Sequence, residues 1–220
     1  MIMELLNFAK GPAMQFAMVI FAFGITMRLF GVLVLSWPKD PVETRGNNQL
    51  IGALRMMAMR SWPHKEFLPR TWYSEVIGYT FHIGFFVVFL LFVPHIVFIK
   101  GVTGLSWPGL PGWMIYYTSL ITVLALLAVL VRRMVNPVLR KLANPDDYIS
   151  WFMTISPVVT GLMVTSHIGI PYETLLAIHI LNVAALMIWF PFGKLMHAFF
   201  IWSSRGLTGA TFARKGVKVQ

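Results

Sequence analysis

Residues 174–200 read TLLAIHILNVAALMIWFPFGKLMHAFF. This run of 27 residues carries one basic side chain, Lys194, and no acidic one. A helix needs about 20 apolar residues to cross a hydrocarbon core, so the run is long enough to span a membrane. Working outward, four more runs have that length or approach it: about 12–35, 73–99, 113–131 and 151–166. The connectors between them hold the helix breakers, WPKDP, SWPGLPGW, NPDD and GIPYE. Trp37, Trp72, Trp107, Trp113, Trp151 and Trp202 fall at or near the ends of the runs, the depth at which interfacial tryptophans sit.

Composition supports the same fold. The chain is 57% hydrophobic, its mean hydropathy is +0.72 and only 12% of its residues are charged. A soluble domain carries roughly 25% charged residues, so this chain lacks the polar surface to cover itself in water. The expected fold is an all-α integral membrane bundle of five transmembrane helices in a single domain, 1–220. A loop at 37–72 and a tail at 201–220 would lie on one side. The formal charge of +10 lies in the gaps between apolar runs, which points to topology and lipid headgroups rather than nucleic acid. The absence of cysteine excludes disulfides, a thiolate nucleophile and an iron–sulfur cluster held by this chain's own thiolates.

Lysine and arginine set the expected orientation. Lys39, Arg45, Arg55, Arg60, Lys65 and Arg70 lie in the first loop, and Arg132, Arg133, Arg140 and Lys141 follow the third run. Lys194, Arg205, Arg214, Lys215 and Lys218 follow the last. Threading five helices puts all of these on one side, with Lys10 and Lys100 opposite and Arg28 inside the first run. The positive-inside rule then predicts an outside N-terminus and a cytoplasmic C-terminus.

Ionisable side chains inside a span are costly and mark functional candidates. His82 and His95 share the second run, and His179 and His197 share the fifth, which runs the opposite way. Depth therefore pairs His82 with His197 near the inner face and His95 with His179 near the outer face. Two histidines facing each other across a bundle can supply both axial ligands of a haem iron, so two pairs predict two haems stacked through the membrane. Eighteen residues of continuous helix would put His179 and His197 on one face about 27 Å apart. Thirteen residues put His82 and His95 about 20 Å apart and out of phase, with Pro94 able to change that phase. Each histidine alone also fits a hydrogen-bonded packing role. His64 reads as a solvated loop residue, and His167 as an interfacial residue, a spare ligand or part of a quinone pocket. Arg28 is placed to pair with a haem propionate or to snorkel to the headgroups.

Three stretches resemble the gamma subunit of respiratory nitrate reductase, a five-helix dihaem cytochrome b. They are TFHIGFFVVF around His82, VRRMVNPVLR at 131–140, and IHILNVAALMIWFPFGKLMH at 178–197; MRLFG around Arg28 adds a shorter likeness. In that family the second-helix histidines stand closer together than the 13 residues seen here. The same cytochrome type also serves sulfur-metabolising and heterodisulfide-reductase-like assemblies. The resemblance implies two haem b groups held by His82 with His197 and by His95 with His179. It implies a multi-pass subunit of the cytoplasmic (inner) membrane that oxidises quinol from the quinone pool. Electrons would pass to a cytoplasmic iron–sulfur subunit and through it to a catalytic subunit. Lys100 and the SWPGLPGW loop would border the quinol. The competing classes are a haem-free transporter whose histidines relay protons and a structural membrane anchor. Glu75 is the one carboxylate in a position to serve a proton relay.

Overall fold

The computed structural model describes residues 2–35, 43–166 and 170–217; the sequence positions Trp37, Lys39, His167 and Lys218 lie outside these. The described chain is all-helical, and five of its helices are long and apolar enough to cross a membrane. The first span is continuous from Ile2 to Val34. It consists of α1 (Ile2–Phe8), a π-helical turn (Ala9–Ala13) and α2 (Met14–Val34). The expected start near Pro12 is therefore ten residues late. Proline lacks the N–H that an α-helix needs, and the helix passes Pro12 by widening into a π turn instead of ending.

The next elements are α3 (Gln49–Met59), α4 (Leu68–Leu91), α5 (Val93–Thr103), α6 (Gly112–Val135) and α7 (Pro137–Leu142). They are followed by α8 (Pro145–Ser166), α9 (Tyr172–Trp189), a single 3₁₀ turn (Lys194–Met196) and α10 (His197–Arg214). Two expected continuous spans are broken. The 73–99 run divides at Phe92, whose backbone is extended (φ −81°, ψ 123°). The 174–200 run stops at Trp189, and His197 opens a separate helix. The single face expected for His179 and His197 therefore does not exist.

Each break satisfies its own backbone, as a non-aqueous surround requires. Pro94 has no N–H to offer the carbonyl of Leu90, which accepts from Trp107 Nε1 instead (2.6 Å). The Leu91 carbonyl accepts from the Leu110 N–H at 2.8 Å, and the Val88 carbonyl from His95 Nδ1 at 3.0 Å. The SWPGLPGW loop thus folds back to cap the exposed end of α4. At the second break a polar cluster holds the chain. Asp147 pairs with Arg133 (2.6 Å) and with Lys194 (2.7 Å), while Trp189 Nε1 donates to Ser150 Oγ (2.9 Å) and Ser150 to Asp146 (2.7 Å).

The spanning helices form an open arc. Helix α4 packs on α6, α6 on α8, α8 on α9, and α9 on α1 and α2. Among the described residues, α4 does not pack its backbone along α9. Small and hydroxylated residues fill the contacts: Gly84 of α4 lies against the fully buried Thr122 of α6, and Ala9 of the first span meets Ala177 of α9. Between 6% and 28% of the apolar window of each span is buried inside the chain. Phe16, Val19, Phe23 and Phe30 point outward with more than half their surface free. The apolar faces therefore require lipid, as an inside-out distribution does in a membrane protein.

The expected loop 37–72 and tail 201–220 are not structureless. They hold α3 and the end of α10, which pack side by side with Gly52 against Gly209 and Met56 buried between them. The N–H groups of Arg45 and Gly46 both donate to the carbonyl of Arg214, at 2.8 and 3.1 Å. Small residues at the crossing allow the two backbones to come this close.

Candidate functional site

The four histidines expected within spans meet in two pairs across the mouth of the arc. His82 and His179 come from spanning helices, and His95 and His197 from the segments beyond the breaks. The rings of His82 (α4) and His197 (start of α10) have centroids 6.0 Å apart and planes at 89°. The rings of His95 (α5) and His179 (α9) are 6.1 Å apart and nearly parallel, at 12°. These are the pairs that depth counting predicts. The breaks explain how they form. Restarting the helix at Val93 resets the phase of His95 relative to His82. The turn after Trp189 carries His197 back toward α4.

Each ring is oriented by a hydrogen bond at Nδ1. His82 Nδ1 donates to the Gly78 carbonyl (2.8 Å), His95 to the Val88 carbonyl (3.0 Å) and His197 to the Lys194 carbonyl (2.8 Å). A carbonyl can only accept, so in the neutral ring Nδ1 carries the proton and Nε2 keeps its lone pair. His179 reaches the same state through Thr160. The Thr160 hydroxyl donates to the Ser156 carbonyl at 2.8 Å and so accepts from His179 Nδ1 at 3.2 Å. Gly161 makes room for this ring, since a Cβ there would stand 3.3 Å from His179 Cε1. Four imidazoles with Nδ1 fixed by an acceptor and Nε2 available have the arrangement that metal-ligating histidines show.

The donor set narrows what can be held. Among the described residues no group of three or more His, Cys, Asp or Glu converges. A protein-caged zinc or iron site takes three or four side-chain ligands, whereas a haem brings its own equatorial nitrogens and asks the protein for one or two. An imidazole nitrogen lies about 1.1 Å from its ring centre and bonds a metal at about 2.0 Å, so two rings on opposite sides of one metal have centres about 6.2 Å apart. The observed 6.0 and 6.1 Å fit that spacing. The residues present therefore fit a bis-imidazole group, twice.

The remaining expected residues lie as follows. Arg28 is exposed and, among the described residues, makes no ion pair or hydrogen bond. It continues the stripe of Phe21, Gly24 and Ile25 at helical spacing. Phe21 stacks edge-on to Phe190 (5.4 Å), and a Cβ on Gly24 would stand 2.6 Å from Pro191. One turn further, Arg28 reaches the level of the break before His197. Lys100 is exposed on α5, five residues beyond His95. His64 lies exposed between α3 and α4 against Phe67. Thr160, Gly161 and the Asp146–Asp147 pair are site residues that sequence reading missed. The NPDD motif looks like a helix start and nothing more, and the Thr160 contact joins residues 19 apart on two helices.

Fold and site together define an all-helical, multi-pass membrane chain with two ranks of paired histidines spanning its arc. A protein of Nitratidesulfovibrio vulgaris (strain Hildenborough) is similar to it, 27% identical over 218 residues that cover 94% of this chain and 93% of that one. No family model matches the chain. No solved structure matches it.

Proposed function

We propose that the chain is a dihaem b-type cytochrome subunit carrying electrons between a membrane quinol and a partner protein. The observation that carries this reading is the doubled pair of imidazoles, each with Nδ1 tied to an acceptor and Nε2 free, at a spacing that fits one metal between them. His82 with His197 and His95 with His179 would hold the two haems, which supply one-electron exchange when bound. The protein's own part is orientation. Gly78, Val88, Lys194 and Thr160 set the tautomers, and the Asp147 ion pairs set where α10 begins.

The basic side chains of the loop, of the 132–141 stretch and of the tail support an inside C-terminus. On that reading His95 and His179 are the outer pair. Quinol would bind near the outer face beside Lys100, and electrons would move inward to a cytoplasmic iron–sulfur subunit. The chain has no cysteine, so that carrier belongs to another subunit. Arg28, at the level of the inner pair, suits a propionate.

Alanine replacement of each histidine tests the reading. His179→Ala and His197→Ala should each lose one haem and leave the other reducible, and His95→Ala should match His179→Ala. Retention of two haems in all three variants would overturn the pairing.

A further inference from the structure

Where α3 and α10 meet the start of α4, a groove of about 330 Å³ opens on the surface. Its aromatic walls are Trp62, Phe67 and Tyr79, and its polar groups include Arg60, His64, Glu75 and Arg205. Its volume falls within the roughly 300–1,000 Å³ typical of sites for small organic molecules, and its lining mixes aromatic with charged side chains. The walls are tied together. The Tyr79 hydroxyl donates to the Ser61 carbonyl, Arg205 Nη1 donates to Ser61 Oγ (3.2 Å), and Ser61 Oγ donates to the Met57 carbonyl (2.8 Å). Three separate elements, α3, α4 and α10, are thereby held around one space.

The groove connects to the histidines through α4. Thr71, Glu75, Tyr79 and His82 follow one another at i, i+4, i+8 and i+11, a single helical stripe. Tyr79 lies three residues, about 4.5 Å of helix rise, from His82. Glu75 is half-buried, and among the described residues its carboxylate accepts no hydrogen bond and pairs with no cation, although two arginines line the same space. A site for an anionic headgroup would not place a carboxylate in its wall. A ring carrying oxygens on opposite edges suits it: Glu75 accepts from a hydroxyl at one edge, while Arg60, Arg205 and His64 donate to the other. Trp62 (76% exposed) and Val76 (56% exposed) present apolar surface beside the groove, the side from which a lipid-dissolved molecule arrives.

We propose that this groove binds the head of a quinone or quinol, as a second ring site at the end of the bundle that carries His82 and His197. It is distinct from the outer position beside Lys100, and only its role in electron transfer rests on the function proposed above.

Photolabelling of the full chain in zwitterionic lipid nanodiscs, with a short-tailed azido-naphthoquinone as probe, tests the site. Labelled peptides should fall within 60–79 and be protected by unmodified naphthoquinone. Trp62→Ala and Arg60→Met should each lower labelling there by about tenfold or more, the effect of losing a stacked ring or a charged hydrogen-bond donor to a quinone carbonyl. Trp113→Phe should leave it unchanged. Labelling confined to 100–113, equal labelling in both groove variants, or protection by phosphatidylglycerol rather than naphthoquinone would overturn the proposal. Haem absorbance of the same samples separates the two readings. A labelled, haem-free chain keeps the ring site and ends the cytochrome reading; a haem-loaded chain without label at 60–79 does the reverse.

Discussion

Thr160 offers a sharp test of how the outer histidine pair is built. Its hydroxyl is the acceptor for His179 Nδ1 at 3.2 Å, and its own proton is committed to the Ser156 carbonyl at 2.8 Å. Thr160→Val keeps the shape and removes the acceptor. The ring is half-buried, so its N–H loses a partner that water does not fully replace, at a cost of about 1–3 kcal/mol. Loss of such a supporting contact typically lowers metal affinity by about 10–100-fold, the same range in free energy. Two nearby groups can mask the effect. The Ser156 hydroxyl, one turn earlier on the same face of α8, is buried and has no hydrogen-bond partner, so its oxygen is free to accept. The Pro157 carbonyl already lies within hydrogen-bonding reach of the ring. The double variant Thr160→Val/Ser156→Ala removes the serine substitute, and Thr160→Ser restores the native contact. Haem per chain and redox titration of the reduced-minus-oxidised spectrum should show one of two components weakened or shifted in the double variant. The other component should be unmoved, and the serine variant should behave as wild type. A double variant with both components at native occupancy and potential would refute the idea that Thr160 orients a ligand.

The Asp147 cluster should govern the other pair. Asp147→Asn removes two ion pairs from a carboxylate whose side chain is 11% exposed, a loss of roughly 1–3 kcal/mol, between exposed and buried pairs. Thermal unfolding in detergent should fall accordingly, and the component assigned to His82 and His197 should shift while the other does not. A reporter fused after Gln220 or inserted near Asn47 should read as cytoplasmic and one near Gly104 as external; an external reading at Gln220 would reverse which pair is inner.

The pairing of histidines was legible because it needs only depth, and depth follows from span order and the sign of the loops. The path of the backbone through those depths was not. Pro94 marks a disturbance, but whether a helix kinks or stops depends on who satisfies the freed carbonyls. Here the answer lies in Trp107 and Leu110, 13 and 16 residues beyond that proline. Trp189 and Lys194 likewise end α9 only because Ser150, Asp146 and Asp147 wait on another helix. Continuous apolar runs conceal such breaks, since both halves are equally apolar. Helices α3 and α10 escaped notice for the opposite reason. Their arginines and glycines lower the apolar signal, and what stabilises them is mutual contact at Gly52 and Gly209, a pairing of residues 157 positions apart in the chain. Thr160 and Gly161 read as ordinary span residues until the ring of His179 is placed beside them.

On the function proposed above, two irons are held by two imidazole pairs of different geometry. Low-temperature electron paramagnetic resonance of the oxidised, purified chain, with haem counted on the same sample, tests it most directly. Two b-type haems per chain are expected, both low-spin. The near-parallel rings at 12° should give an ordinary rhombic signal and the perpendicular rings at 89° a highly anisotropic one. A chain without haem, or one whose iron is a single high-spin species, would contradict the account.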